Sequence, residues 1–188
     1  VNQKKVLETI LRLLDEQGEC PSVVKIAKDM EGNSLGARAF EILASFSLRD
    51  HSLRVAQEAL KLIKPNAPTT LKIMIAALAH DLGKIPALHE QYYSTGDHPL
   101  FSVSELEKIE TFTHLPEKTR LDIKQAILNH HKQEDKNNPN WLGQIIKQAD
   151  QSARQIETNL FNKTPDRPKE PQTTTTQQMP AWFSTENL

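Results

Sequence analysis

The stretch AALAHDLGKIP, residues 76–86, ends a run of apolar side chains in an imidazole, a carboxylate and, three residues on, an ammonium: His80, Asp81 and Lys84. Similar polar groups interrupt other apolar patterns. His51 is followed by Val55, Ala59 and Leu62 at spacings that put all four on one inward helical stripe. His130 follows Ile123 and Ile127 on another, with His131 directly beside it, and Asp150 lies between Ile146 and Ala153 on a third. His98 opens a helix just before Pro99. A buried ionised carboxylate is costly unless it is paired or bound to a metal. No lysine or arginine lies on these stripes, so the expected partner is a cation. Imidazole with carboxylate suits iron, manganese, zinc, nickel or cobalt better than calcium. Asp81 has two oxygens with which to bridge a pair of ions, and such a pair would hold a hydroxide and clamp a phosphate for in-line attack.

The elements that must position these groups read as helices throughout. Val6, Leu7, Ile10, Leu11 and Leu14 mark a first amphipathic helix stopping near Gly18. A shorter element follows Pro21 and Ser22 to Met30, and a third runs from Asn33 and Ser34 to Phe46. The next spans roughly Leu48 to Lys64, closed by Pro65. Thr69 or Thr70 then caps a strongly apolar helix through Ala79, which Gly83 and Pro86 terminate. After a loop comes a helix from Pro99 to Phe112, then one starting at Pro116 and ending near His131. The last starts at Asn140 and carries Leu142, Ile145, Ile146, Ala149, Ala153, Ile156 and Leu160. No window alternates in the manner of a strand, so the class is all-α. From Asn162 the sequence NKTPDRPKEPQTTTTQQMP has nothing to bury and reads as a disordered linker or tail. The expected organisation is a helical segment over 1–46 that packs on the core, a metal-binding core over 47–161 and the tail over 162–188.

Composition narrows the function classes without choosing among them. The 188 residues carry 23 basic and 24 acidic side chains, a formal net charge of −1, so the whole molecule is no electrostatic trap for nucleic acid. Residues 1–46 have a helix-turn-helix rhythm, but six basic and seven acidic residues lack the basic face of a DNA reader. The mean hydropathy is −0.55 and the longest apolar run, about Ile73 to Ala79, is far too short to span a bilayer, so no membrane partner is expected. A single cysteine, Cys20, excludes an internal disulfide and a multi-cysteine zinc site. With no secretory leader in view, the expected compartment is the cytoplasm. The start at Val1, the linker and the trailing AWF point to a piece of a longer chain.

His51, His80-Asp81 and Asp150 resemble, in order and in helical context, the H…HD…D signature of the HD-domain superfamily of metal-dependent phosphohydrolases. HDLGK resembles a frequent form of the family's central motif and RDHSLRVA its first helix; the likeness covers roughly His51 to Ile156. DHPLFS and ILNHHK are similar to the extra histidine segments of subfamilies that bind two or three metals, among them the HD-GYP phosphodiesterases. The resemblance implies that His51, His80, Asp81 and Asp150 hold one ion, and that Asp81 joins His98, His130 and His131 around a second. It implies a phosphate contact for Lys84; Arg54, one turn from His51, is a candidate for another. HD-GYP proteins carry a glutamate and then a glycine-rich motif after the paired histidines. Here Lys132 stands in the glutamate's place and the chain continues QEDKNNPN, so specificity for cyclic di-GMP is not implied.

The function expected from the sequence is hydrolysis of a phosphodiester or nucleotide by a centre of two divalent transition-metal ions. The alternative is an HD-type binding or regulatory module of a longer multidomain protein, such as the relaxase-type DNA-processing proteins of conjugative elements. A vestigial site is disfavoured, because no ligand position has lapsed to a residue that cannot ligate. His89 and His114 are assigned no role.

Overall fold

A computed structural model describes residues 2–23, 42–64, 66–88, 98–132 and 141–163. Residues 24–41, which hold most of the second and third expected elements, the loop 89–97 and the 164–188 tail lie outside these residues. Within them the helices are α1 (Asn2–Gln17), α2 (Leu48–Lys61), α3 (Ala67–Ala79), α4 (His98–Lys108), α5 (Glu110–Thr113), α6 (Glu117–Asn129) and α7 (Trp141–Lys163). Two single 3-10 turns, Leu82–Lys84 and Pro86–Leu88, follow α3. The described residues contain no strand, only one isolated bridge between Pro21 and Ser47, and the chain is all-α.

Helix α3 is apolar on nearly every side because it is central. Ile73, Ile75, Ala76, Ala77, Leu78 and Ala79 are at most 1% exposed, with α1, α2 and α6 packed around them. A helix surrounded by others has no face to give to water. Helix α2 lies between α3 and α7, its contact with each among the most extensive in the molecule. Helix α1 adds Val6, Leu7, Ile10 and Leu14 to the same hydrophobic cluster. Each such aliphatic side chain contributes about 1.5–3 kcal/mol on full burial.

Four local readings are corrected. The cap of α3 is Asn66, whose side-chain oxygen accepts from Thr69 N, so the helix starts before the threonines. The single helix expected from Pro99 to Phe112 is two, because Ile109 takes an extended conformation between α4 and α5, and Phe112 beyond the break is fully buried. Leu62 is the C-cap of α2, where the helical stripe no longer applies, and is 45% exposed rather than inward. Leu160 is also largely exposed; the buried stripe of α7 is Leu142, Ile146, Ala149, Ala153 and Glu157.

Candidate metal centre

The histidines and aspartates picked out by the sequence come together where α2, the ends of α3 and α6, the start of α4 and the middle of α7 meet. Their nitrogen and oxygen atoms form two groups, His51–His80–Asp150 and Asp81–His98–His130–His131, each with all ligand atoms within 4.8 Å of one another. Asp81 stands between the groups. Its Oδ2 faces His80 Nε2 at 3.1 Å and His51 Nε2 at 3.8 Å, whereas Oδ1 faces His98 Nε2 at 3.2 Å and His130 Nε2 at 3.8 Å.

Two of the imidazoles are presented by the same local device. His80 is the C-cap of α3 and His130 the C-cap of α6. Helix C-termini leave carbonyls without intrahelical donors. Each ring folds back so that Nδ1 donates to the carbonyl three residues earlier, Ala77 O at 2.7 Å and Ile127 O at 2.5 Å. A carbonyl only accepts, so the proton is on Nδ1 and the lone pair on Nε2 is aimed into the centre. The residue after each cap, Asp81 or His131, then turns into the same space. Both adjacent histidines thus arrive at the centre just past the end of α6 at Asn129. The His130 and His131 rings lie 3.8 Å apart, and His131 Nε2 is 3.1 Å from His98 Nε2.

Gly83 locks this turn to α4. A Cβ there would lie 2.0 Å from His98 O, and its N–H donates to Ser102 Oγ at 2.8 Å. The same hydroxyl is 2.9 Å from both His80 O and His98 O, which ties the end of α3 to the start of α4. The LGK of the motif is thus the joint that fixes His98 against Asp81.

Charge compensation is richer than the stripes implied. Lys84, 3% exposed, has Nζ 3.2 Å from Asp81 Oδ2, and Arg154 Nε is 3.7 Å from Asp150 Oδ1. Lys84 lies off the helical stripes, in the 3-10 turn, and Arg154 one turn beyond Asp150. Both cations also hold Ser22 O, at 3.3 Å from Lys84 Nζ and 3.2 Å from Arg154 Nη2. Lys147, three residues before Asp150, donates to Lys132 O at 3.0 Å.

Burial works against ionised Asp81, but His80 and Lys84 prevail and hold its carboxyl well below the usual range. Asp150 is likewise held low against burial, by His51 and Arg154. Burial pushes the His130 ring well down, reinforced by His131 and His80. His131 is exposed as a residue, yet its ring is desolvated against its neighbours and its pKa falls to about 4. His80 is the exception, raised because Asp81 and Asp150 outweigh its burial. The centre therefore combines ionised carboxylates with neutral imidazoles at His130 and His131, the protonation state that metal ligation requires.

Five buried atoms at this point make no hydrogen bond: His51 Nε2, His80 Nε2, His130 Nε2, Asp81 Oδ1 and Asp150 Oδ1. Buried polar atoms are normally satisfied. So many orphans converging from four elements, all of types that ligate transition metals, fit divalent cations even with Lys84 and Arg154 nearby.

Arg54 Nη1 contacts Glu157 Oε1 at 2.7 Å and its guanidinium lies over the Phe46 ring, 5.4 Å from the centroid. Glu157, fully buried, was missed by the sequence reading. The available signal was its place seven residues after Asp150 and four after Ala153 on the inward stripe of α7. Cys20 is partly buried, its thiol pushed up to about 11 by desolvation; it is no candidate ligand or nucleophile.

A protein-family profile described as "HD domain" matches residues 48–155, more than half of the chain and the whole span from α2 to the middle of α7. The chain belongs to the HD-domain family, a superfamily of metal-dependent hydrolases. Neither the curated proteins nor the solved structures searched gave a match. No helix among the described residues is long and apolar enough to cross a membrane.

Proposed function

We propose that this chain is a dinuclear phosphohydrolase that cleaves a phosphodiester or nucleotide. The observation that carries the reading is the division of Asp81: each carboxylate oxygen faces a different group of imidazoles, as a carboxylate shared by two cations would. His51, His80, Asp81 and Asp150 would hold one divalent ion, and Asp81, His98, His130 and His131 the other. When bound, such a pair supplies a nucleophile at neutral pH and positive charge against the phosphate.

The chain's own residues do the rest. Nδ1 of His80 and of His130 is tied to a carbonyl, so neither ring needs to reorient before ligation. Lys84 stands beside Asp81, where its ammonium would offset charge growing on the phosphoryl oxygens. Arg54 is directed onto Glu157, whereas Lys84 directly contacts Asp81 of the ligand group and is the nearer of the two candidates. The histidine-rich second group resembles phosphodiesterases of the superfamily more than its mononuclear nucleotidases and supports a phosphodiester substrate. The single cysteine accords with a cytoplasmic setting.

The test is hydrolysis of bis(p-nitrophenyl) phosphate and p-nitrophenyl phosphate by protein loaded with manganese or iron. The reading predicts turnover of the diester that is lost in Asp81→Ala. A protein that holds two ions but cleaves neither ester would instead be an HD-type binding module of a longer chain.

A further inference from the structure

His51 differs from His80 and His130, the two other imidazoles at most 1% exposed, in one respect. His80 and His130 sit at helix C-caps, where a carbonyl three residues back is free to accept from Nδ1. His51 is inside the first turns of α2, where the backbone carbonyls are committed to the helix, so its Nδ1 partner must come from another element. That partner is Glu157: Oε1 lies 2.9 Å from His51 Nδ1, with both side chains fully buried. Asp150, two turns earlier on α7, faces the opposite ring nitrogen, Nε2, at 3.1 Å. Helix α7 thus grips one imidazole at both ends. Arg54 Nη1, at 2.7 Å from Oε1, and Arg154 Nη1, at 3.2 Å from Oε2, keep the Glu157 carboxylate charged and in place.

We propose that Glu157 is the positioning residue for His51: it fixes the Nδ1–H tautomer, orients the Nε2 lone pair at the centre and strengthens His51 as a ligand to the ion shared with His80 and Asp150. A carboxylate behind a ligating imidazole does this in metal sites generally, and its loss lowers metal affinity about 10- to 100-fold. Glu157 lies beyond the residues that match the family profile. The proposal rests on the dinuclear reading above.

The experiment uses the full chain. Long-range proton–nitrogen NMR of the metal-free protein reads the His51 tautomer, and manganese titration reads the affinity of each position. The expected results are an Nδ1–H His51 in the wild type, a mixed or Nε2–H ring in Glu157→Ala, and about 10- to 100-fold weaker binding at one of the two positions in that variant. Glu157→Gln keeps Oε1 for His51 and should restore the tautomer and most of the affinity. An Nε2–H His51 in the wild type overturns the proposal without any variant. So does a Glu157→Ala protein whose melting point drops while both affinities stay unchanged, the behaviour of a merely structural ion pair. If the wild type takes up no ion the dinuclear reading fails, and the tautomer still decides the role of Glu157.

Discussion

Lys84 meets two demands at once. As the last residue of a 3-10 turn it neutralises Asp81 and ties down Ser22 O, and in the proposed dinuclear reading its buried ammonium would also offset charge on a phosphate. The second role predicts that Lys84→Ala retains its metal and slows turnover by about tenfold to a thousandfold; steady-state kinetics at full metal occupancy checks it, and wild-type turnover would leave only the structural role. The clustered histidines and aspartates were legible in the sequence because a polar residue on an apolar stripe is expensive unless something compensates it. Glu157 obeys the same logic but was hidden, since the part of the α7 stripe leading to it carries only Ala149 and Ala153 and the eye follows Ile156 and Leu160 instead. Lys84 as the partner of Asp81 was not legible either, because that pairing depends on a turn whose shape periodicity does not encode; Arg154 stands four residues after Asp150 on α7, a spacing that was readable but was passed over.

At the scale of elements, α-helical periodicity recovers helices well and their ends poorly. Asn66 and Ile109 are cases: a cap is decided by one side-chain hydrogen bond, and a break by one extended residue. The joint between α3 and α4 is the element-level feature on which the site depends. Gly83→Ala puts a methyl onto His98 O, so the turn must part from α4. It should cost about 1–3 kcal/mol and weaken the cation group that includes His98 more than the one that includes His51, readable by thermal unfolding and metal titration together. Farther from the site, α3 and α6 are joined by Lys72 Nζ and Asp122 Oδ2 at 2.7 Å. Burial slightly opposes the Asp122 charge, but Lys72 and Lys118 lower its pKa on folding. A carboxylate depressed in the folded state stabilises fully above its unfolded pKa of about 3.9 and loses that contribution as pH falls through the folded value. Asp122→Asn should therefore be less stable by up to about 1 kcal/mol at pH 7, with the gap closing under acid; denaturant midpoints at several pH values measure it.

On the scale of the whole molecule, helices remote in sequence share one core, with α1 contributing to the same cluster as α2, α3, α6 and α7. That core is what lets five elements deliver seven candidate ligands to one place. The all-α class was legible because every apolar pattern had the same period; the meeting point was legible only through the order of the motifs, which resembles the HD family's. The central claim is that this convergence holds two divalent ions with Asp81 between them. Elemental analysis of protein purified without chelator, beside Asp81→Ala, tests it most directly. The account predicts about two ions per chain in the wild type and loss of both in the variant, with helical content by circular dichroism retained in each. Undiminished metal in Asp81→Ala, or a wild type that takes up none after incubation with manganese or iron, would contradict it.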